Sequence, residues 1–290
     1  MEGGRGGAVT ASIFGPAPGD EVKGRLRVRA SFIVLAAGAI HTPLLLLGNR
    51  IGNRSVAGRN LRLHPALGVG ALFREPVYAW RGTMQSYFVD ELQASQGVMI
   101  EVTNPVPAVA VGMMREIGIA LKERLATLPF TATAGLFVSD HSSGRVRRTP
   151  RGGALMTYSL IAEDAARLLR GVALVAEIFL AAGSSEVVTP LRRKPRLRSR
   201  KEIDELRSAA VRPEELQVTG FHPMGTCRMG RDPERSVVAP DGSVHGSENL
   251  YVADASVFPT CVGVNPQVSI VAFATRIAAG ILQRRGRAGA

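Results

Sequence analysis

The sequence is poor in cysteine, in aromatic residues and in long apolar runs. Two cysteines among 290 residues cannot build the disulfide framework of a small secreted protein, and aromatic residues contribute only 5%. The longest apolar run, residues 32–47, carries a histidine and a proline and is shorter than the ~20 residues that cross a bilayer. Residues 1–20 lack a basic segment followed by an apolar core, so no secretory signal is predicted. We therefore expect a cytoplasmic protein without a transmembrane helix.

Acidic residues are also scarce relative to basic ones. The chain has 24 Asp and Glu against 36 Lys and Arg, which gives a formal net charge of +12. Such a charge can indicate a nucleic acid or an anionic membrane as partner. The most basic run comprises Arg192, Arg193, Lys194, Arg196, Arg198, Arg200 and Lys201. Because this run has no interleaved aromatic residues, we interpret it as a solvated loop and expect no nucleic acid partner. An anionic membrane or protein surface stays open as an alternative.

Reactive residue types are concentrated near the C-terminal end. One segment reads Phe221-His222-Pro223-Met224-Gly225-Thr226-Cys227-Arg228-Met229-Gly230. It is followed by a β-favouring run at residues 250–252 that leads to Asp254, and then by Asn265-Pro266 ahead of a helical pattern. The order predicts a reactive loop, a buried strand and a helix. The N-terminus of such a helix favours an anion or an electron-rich ring, because its N–H groups are free.

These segments, in this order, resemble the C-terminal part of the glucose-methanol-choline (GMC) flavoprotein oxidoreductases. Residues 34–43, VLAAGAIHTP, and residues 58–65, GRNLRLHP, resemble two further segments of that family. The resemblance implies FAD as the cofactor. It also implies an α/β (α+β) fold, in which the rim of an FAD-binding Rossmann-like domain accompanies an antiparallel-sheet substrate domain backed by helices. Residues 80–86 and 164–182 look like the long-chain alcohol oxidase type, which implies an apolar alcohol as the small-molecule substrate. The electron acceptor is left open.

The same resemblance implies roles for individual residues. His222 takes the position of the catalytic base, and Asn265 that of the partner of the substrate oxygen, since an amide can donate a hydrogen bond but cannot accept the proton as a base. The implied cofactor-binding residues are Ala37, Gly38, Asp254, Ala255, Pro266 and Gln267. Without the resemblance, a histidine before proline is more often structural, and Asn265 can serve simply as a helix cap.

We expect no metal site and no nucleophilic serine site. His222 and Cys227 lack the further ligands that zinc requires, and no Gly-x-Ser-x-Gly turn occurs. Each cysteine is expected to behave as a small buried apolar residue. The remaining histidines are expected at surface or capping positions; they are His41, His64, His141 and His245.

The predicted organisation has three segments. Residues 1–65 form part of an FAD-binding domain, residues 66–215 the substrate-binding domain, and residues 216–290 a catalytic segment that returns to the flavin domain. The nearest approach to a Gly-x-Gly-x-x-Gly turn, at residues 3–7, follows no strand and opens no helix. The resemblance, with this turn missing, therefore implies that the chain corresponds to roughly the C-terminal half of a GMC polypeptide, and an N-terminal flavin-binding half or upstream chain is an expected partner. A non-catalytic fragment, a split subunit and a basic polyanion-binding module are the alternatives.

Hydrophobic periodicity predicts the main secondary-structure elements. Strands are predicted at residues 23–30, 32–36, 67–73, 97–102, 133–139 and 250–252, with a turn at 140–144. The strand at residues 23–30 is expected to have one wet face. Helices are predicted at residues 111–125, at residues 161–182 and after Pro266.

Overall fold

The computed structural model describes residues 7–17, 19–104, 106–114 and 116–288. The chain divides into two compact units. Unit 1 consists of residues 1–62, 143–158 and 222–290, and unit 2 of residues 63–142 and 159–221. This division differs from the predicted segments in that residues 143–158 lie in unit 1, whereas residues 63–65 and 216–221 lie in unit 2. The first four residues of the glycine run at 3–7 lie outside the described residues.

The elements follow in chain order. The strands are β1 Val9–Phe14, β2 Val22–Val28, β3 Ile33–Leu35, β4 Arg59–Leu61, β5 Ala66–Leu72, β6 Phe88–Val89, β7 Val98–Val102, β8 Thr131–Val138, β9 Ser143–Arg148, β10 Ala154–Ser159, β11 Glu186–Val188, β12 Arg196–Leu197 and β13 Leu250–Val252. The α-helices are α1 Gly38–Asn49, α2 Gln93–Gln96, α3 Pro107–Met113, α4 Gly118–Ala126, α5 Ala162–Ala181, α6 Arg200–Ser208 and α7 Gln267–Ala288. Short 3₁₀ helices cover Leu128–Phe130, Pro213–Glu215 and Ala255–Val257.

Unit 1 is built around two parallel strands, β3 and β13, which pair in the register Ile33–Leu250 to Leu35–Val252. Each strand leads directly into a helical segment, α1 after β3 and the 3₁₀ helix Ala255–Val257 after β13. Parallel strands followed by helices are the elements of a dinucleotide-binding fold. The side chains around them form one apolar core that includes Leu46, Met224, Cys227, Val252 and Val257.

The other elements of unit 1 are a small sheet and a hairpin. Strands β10, β9 and β4 form a three-stranded sheet, and β1 pairs with β2 in antiparallel fashion. The prediction that only one face of this strand is wet is wrong, because nearly all residues of β2 are exposed. Strand β1 was not predicted from the sequence. The hairpin has little to pack against within the described residues, and its apolar side chains, such as Phe14 and Leu26, stay exposed.

Unit 2 contains the predicted antiparallel sheet. Its strand order is β12-β11-β5-β8-β7-β6, and every pair is antiparallel. Helix α5 covers one face, since its apolar stripe, including Leu168, Val172 and Ala176, is fully buried. That stripe packs against the alternate residues of β5 and β8 that point the same way, including Leu67 and Leu136. The prediction of a long amphipathic helix backing a sheet is confirmed.

A buried polar network fixes the start of α5. The Asp164 carboxylate accepts hydrogen bonds from the Ser142 N–H at 2.7 Å, from the Ser142 hydroxyl and from the His141 N–H at 3.3 Å. Arg167 forms an ion pair with the same carboxylate, and the Asp164 side chain is fully buried. Burial alone would raise the pKa of Asp164, but the hydrogen bonds from Ser142 and Arg167 hold that pKa below its ordinary value. The network therefore ties the turn before β9 to the first turn of α5.

The helix predicted at residues 111–125 is interrupted. Helix α3 ends at Met113, and α4 begins at Gly118. Between them Ile117 is extended, with φ −130° and ψ 158°, and Gly118 has a φ of +63°. A left-handed residue cannot continue a right-handed helix, so the apolar periodicity is carried by two short helices rather than one. Among the described residues, no helix combines the length and the apolar character needed to cross a membrane.

The basic run predicted to be a solvated loop is largely paired with acidic residues of unit 2. The pairs are Arg193 with Glu215, Lys194 with Glu205, Arg196 and Arg198 with Glu186, and Arg200 with Glu177. Most of these basic side chains are more than half exposed, and such pairs contribute little to stability. Their effect is to neutralise much of the charge that the sequence concentrates in this run.

Candidate functional site

The carboxyl ends of β3 and β13 meet at one edge of their small sheet. The Ala253 N–H donates to the Leu35 carbonyl at 2.9 Å, so the parallel pairing continues to the last residue before Asp254. Directly beyond it, the Gly38 N–H donates to the Asp254 carboxylate at 2.9 Å. The structure thereby brings together four residues predicted to bind the cofactor: Ala37, Gly38, Asp254 and Ala255. In α/β proteins, ligands bind at this edge of the sheet.

Asp254 organises this edge. Besides the Gly38 N–H, its carboxylate accepts the Thr42 hydroxyl at 2.6 Å and the Ser256 N–H at 2.8 Å. Thr42 is fully buried, and its oxygen in turn accepts the Ala37 N–H at 3.1 Å. A carboxylate placed before the free N–H groups of two helical segments is favoured by their charge and satisfies donors that lack partners within the helices. The start of α1 is therefore held to the end of β13.

The loop that contains His222 is fastened to the same place by its backbone. Gly225, Cys227 and Met229 each donate their N–H, to the carbonyls of Ala255 at 3.1 Å, Ser256 at 2.8 Å and Val257 at 2.8 Å respectively. The loop thus runs beside the 3₁₀ helix Ala255–Val257 with a bond at every second residue. The Thr226 hydroxyl adds a bond of 2.6 Å to a carbonyl of α1, that of Ala39. The loop position is consequently set by the two strand ends.

Gly225 allows this close approach. Its φ is +87°, in the left-handed region, and a Cβ there would lie 2.5 Å from the Asn60 carbonyl oxygen. Asn60 itself has a φ of +64°, and its side-chain amide donates to the carbonyls of Gly225 at 3.2 Å and Pro259 at 3.0 Å. Only glycine fits a backbone position with both constraints. Asn60 joins the His222 loop to the segment that follows the 3₁₀ helix.

His222 is half-buried at the start of this loop. Burial lowers the pKa of its imidazole below the ordinary value, because desolvation disfavours the charged form. The side chain is therefore neutral at pH 7, and a neutral imidazole can accept a proton. Nδ1 is buried from solvent, so a proton from a bound molecule would have to reach the ring through Nε2.

Asn265, Pro266 and Gln267 lead into α7. The helix begins at Gln267, and the Pro266 carbonyl accepts the first backbone bond, from the Ile270 N–H at 2.8 Å. Pro266 thus occupies the cap position, and Asn265 precedes it. Phe273 of α7 packs edge-to-face on Phe258, next to the 3₁₀ helix, with ring centroids 5.3 Å apart. The start of α7 is accordingly anchored to the segment that follows β13.

All eight predicted site residues lie in unit 1. Sequence reasoning missed three residues that position them, Thr42, Asn60 and Thr226. Asn60 carried a signal, since it belongs to the GRNLRLHP segment, whereas Thr42 and Thr226 differ in no visible way from other threonines. The prediction for His64 is wrong, because it is fully buried and stacks on Phe137 with ring centroids 5.3 Å apart. His41 and His141 are exposed, as predicted.

The cysteines agree in part with prediction. Cys227 is fully buried in the core of unit 1, and burial raises the pKa of its thiol. Cys261 is half-buried, and neither residue forms a disulfide. Cys227 therefore acts as a packed apolar group on the buried side of the His222 loop.

Comparison with known proteins identifies the family. A family model for the C-terminal part of GMC oxidoreductases matches residues 134–274. An uncharacterized GMC-type oxidoreductase of Mycobacterium tuberculosis is 38% identical over 253 residues, which cover 87% of this chain and 40% of the relative. A long-chain-alcohol oxidase of Arabidopsis thaliana is 32% identical over 273 residues, covering 85% of this chain and 36% of the relative.

A solved structure shares the fold. The crystal structure of pyridoxine 4-oxidase from Mesorbium loti superposes with a TM-score of 0.66 and 22% identity, covering 97% of this chain and 55% of that one. The chain spans about 40% of the length of its mycobacterial relative. Taken with the strand-end site and the His222 loop, these matches show that the chain belongs to the GMC oxidoreductase family and corresponds to the C-terminal portion of its members.

Proposed function

We propose that this chain is the C-terminal part of an FAD-dependent oxidoreductase that oxidises an apolar, long-chain alcohol to the carbonyl compound. The observation that carries the proposal is the attachment of the His222 loop to the strand-end site that contains Gly38 and Asp254. A neutral, half-buried histidine is thereby held by backbone bonds next to the edge where a dinucleotide binds in such folds. The name of the plant relative supports the alcohol.

The residues at the strand ends fit FAD. A Cβ added to Gly38 would meet no atom within 4 Å, so the backbone there is open to close approach by a ligand. The start of α7 is similarly accessible, since Gln267 and Val268 are exposed and the first N–H groups of a helix have no partners within it. We assign Ala37, Gly38, Asp254 and Ala255 to the adenosine and ribityl side. Pro266 and Gln267 we assign to the flavin ring.

In the proposed reaction, His222 is the base. Its Nε2 accepts the proton of the substrate hydroxyl, which the lowered pKa permits at neutral pH because the imidazole is uncharged. Asn265 donates a hydrogen bond from its amide to the substrate oxygen as negative charge develops there. When bound, FAD supplies the acceptor for the hydride that leaves the carbinol carbon. The loop bonds described above keep His222 in place.

We further propose that a flavin-binding N-terminal portion completes the site. Among the described residues β3 has a strand neighbour on one side only, and parallel sheets are normally covered and extended on both sides. Val34 of β3 is 46% exposed, as is expected of an apolar residue that a further layer of structure covers in the complete protein. The alternative of a basic polyanion-binding module is weakened by the ion pairs of the run from Arg193 to Arg200.

The test is flavin retention and reduction. The chain is purified alone and co-expressed with the N-terminal portion of the mycobacterial relative, and the flavin absorption is recorded before and after anaerobic addition of a long-chain alcohol. We expect bleaching that His222→Ala abolishes and Asn265→Ala slows. His41→Ala is the matched control, because His41 is an exposed histidine of the same unit.

Each outcome separates one alternative. Flavin held only in the co-expressed sample supports the split arrangement. Flavin that never binds in either sample would refute the proposed cofactor and leave a non-catalytic remnant. Bleaching that persists in His222→Ala would refute the assignment of the base. Binding of polyanions that weakens steeply with salt and is unaffected by His222→Ala would favour the basic module.

A further inference from the structure

The face of the unit 2 sheet opposite α5 holds a cavity of about 470 Å³. Its floor consists of small side chains on the two central strands: Gly68, Gly70, Thr131 and Thr133. Along each strand these residues alternate with the core residues that pack on α5, so they point to the opposite face of the sheet. Because two of them are glycines, no large side chain covers that face at their positions. The volume falls in the range of sites that bind small molecules. All residues that line the cavity belong to unit 2.

Arg124 places a positive charge inside this cavity. Its guanidinium lies over Gly70, with Nη2 3.5 Å from the position that a Cβ at residue 70 would take. The side chain is half-buried, and burial lowers its pKa from the ordinary value, although the nearby charge of Glu116 favours the cation. Its guanidinium forms neither a hydrogen bond nor an ion pair with any residue that the structure describes. A half-buried guanidinium is normally paired, so this one has capacity for an acceptor.

Three threonines that line the cavity have already used their hydroxyl donors. The Thr131 hydroxyl donates to the Thr127 carbonyl at 2.8 Å, that of Thr219 to the Ala66 carbonyl at 3.2 Å, and that of Thr133 to the Thr103 carbonyl, directly after β7. These hydroxyls can still accept hydrogen bonds, but they cannot donate another. Arg124 inside the cavity and Arg192 at its exposed rim are therefore the charged donors that face a ligand. The lining holds these two arginines against one carboxylate, that of Glu116, so its net charge is positive and favours an anion.

The rest of the lining is apolar and suits a hydrocarbon tail. It comprises Ala110, Met114, Leu128, Val188, Pro190, Leu191 and Pro195. We propose that this cavity binds a monocarboxylate with an apolar tail, its carboxylate on the Arg124 guanidinium and its tail along the bare strands. A planar carboxylate matches the planar fork of arginine in a two-point contact. The proposal does not depend on flavin binding and goes beyond the alcohol oxidation proposed above.

The test compares octanoate with 1-octanol, a ligand of equal length without the charge. Titration calorimetry at pH 7 with the full chain should give saturable binding of octanoate and at least tenfold weaker binding of octanol. Arg124→Gln should weaken the affinity for octanoate about 10- to 100-fold, because one charge-assisted contact is lost. The affinity of Arg124→Lys should lie between those of the parent and Arg124→Gln, since lysine keeps the charge but lacks the planar two-point donor of arginine. Arg74→Gln is the control, because it removes an exposed charge of the same unit that has no partner among the described residues.

A second variant tests the cavity without touching the arginine. Gly68 lies on a strand, and a Cβ there would meet no atom within 4 Å. Gly68→Val should therefore fold at least as stably as the parent, since valine favours strands. It should weaken octanoate binding, because the valine side chain occupies part of the cavity. Equal binding of octanoate to the parent, Arg124→Gln and Gly68→Val would overturn the proposal. Octanol binding as tightly as octanoate, or no saturable octanoate binding to the parent, would overturn it as well.

Discussion

Truncation of Asp254 tests whether its carboxylate holds the strand-end site together. In Asp254→Ala the Gly38 and Ser256 N–H groups lose their acceptors, at 2.9 and 2.8 Å, while the Thr42 hydroxyl can turn to another oxygen. Each buried donor left without a partner costs about 1–3 kcal/mol. Because the Gly38 bond is only partly buried, water can recover some of that cost. We expect the free energy of unfolding of unit 1 to fall by about 2–4 kcal/mol.

Two measurements check this expectation. Urea unfolding reports the loss of global stability, and hydrogen exchange reports the local opening, which should be faster at the Gly38 and Ser256 amides than elsewhere in unit 1. Asp254→Asn is the matched variant, since it keeps the side-chain volume and one acceptor oxygen. Its free energy of unfolding should fall by less than that of Asp254→Ala. A loss below about 0.5 kcal/mol in Asp254→Ala, with unchanged exchange at both amides, would refute the reasoning, because that is the range of ordinary surface changes.

Three further predictions follow from the structure. Gly225→Ala should destabilise unit 1 by more than about 2 kcal/mol in urea, through its left-handed φ and the contact with a neighbouring carbonyl; Gly24→Ala, in an open strand, is the control and should change little. The lowered pKa of Asp164 means that its stabilisation is present above about pH 4 and is lost as the pH falls through the folded pKa. The urea midpoint of Asp164→Asn, though lower at pH 7, should therefore decline less than that of the parent between about pH 5 and pH 3; parallel declines would contradict this. Cys227 should stay unreactive to a thiol reagent until the chain unfolds, because burial raises its pKa, while Cys261 reacts in the native state; rapid reaction of both thiols would show that the core beneath the loop is open.

The sequence predicts the elements of unit 2 because their periodicity is strong. The predicted range 161–182 and the observed α5 differ by one residue at each end, since an apolar stripe of that length has one stable arrangement on a sheet. The interrupted helix at residues 111–125 shows the limit. There the same apolar spacing exists, but Gly118 takes a left-handed φ, and periodicity contains no information about that choice.

The candidate site is predictable where motifs restrict the backbone. His222, Gly225 and Asp254 belong to segments whose resemblance to a family is visible, and the structure accounts for the glycine by its φ and its contact with Asn60. The cavity of unit 2 is not predictable in this way. Its arginine at residue 124 comes from an ordinary amphipathic helix, and only the folded sheet places that side chain over a glycine.

The site in unit 1 depends on contacts between segments that are far apart in the sequence. Gly38 and Asp254 are 216 residues apart, and Asn60 lies 165 residues before the Gly225 carbonyl that it binds. The burial that lowers the pKa of His222 is therefore not a property of the segment from residue 221 to residue 230 alone. The loop takes its position from bonds to Asn60 of β4, to Ala39 of α1, which follows β3, and to the 3₁₀ helix that follows β13. The chemistry proposed for His222 is for this reason coupled to the stability of the parallel pair, and residues without reactive side chains, such as Gly225, control it.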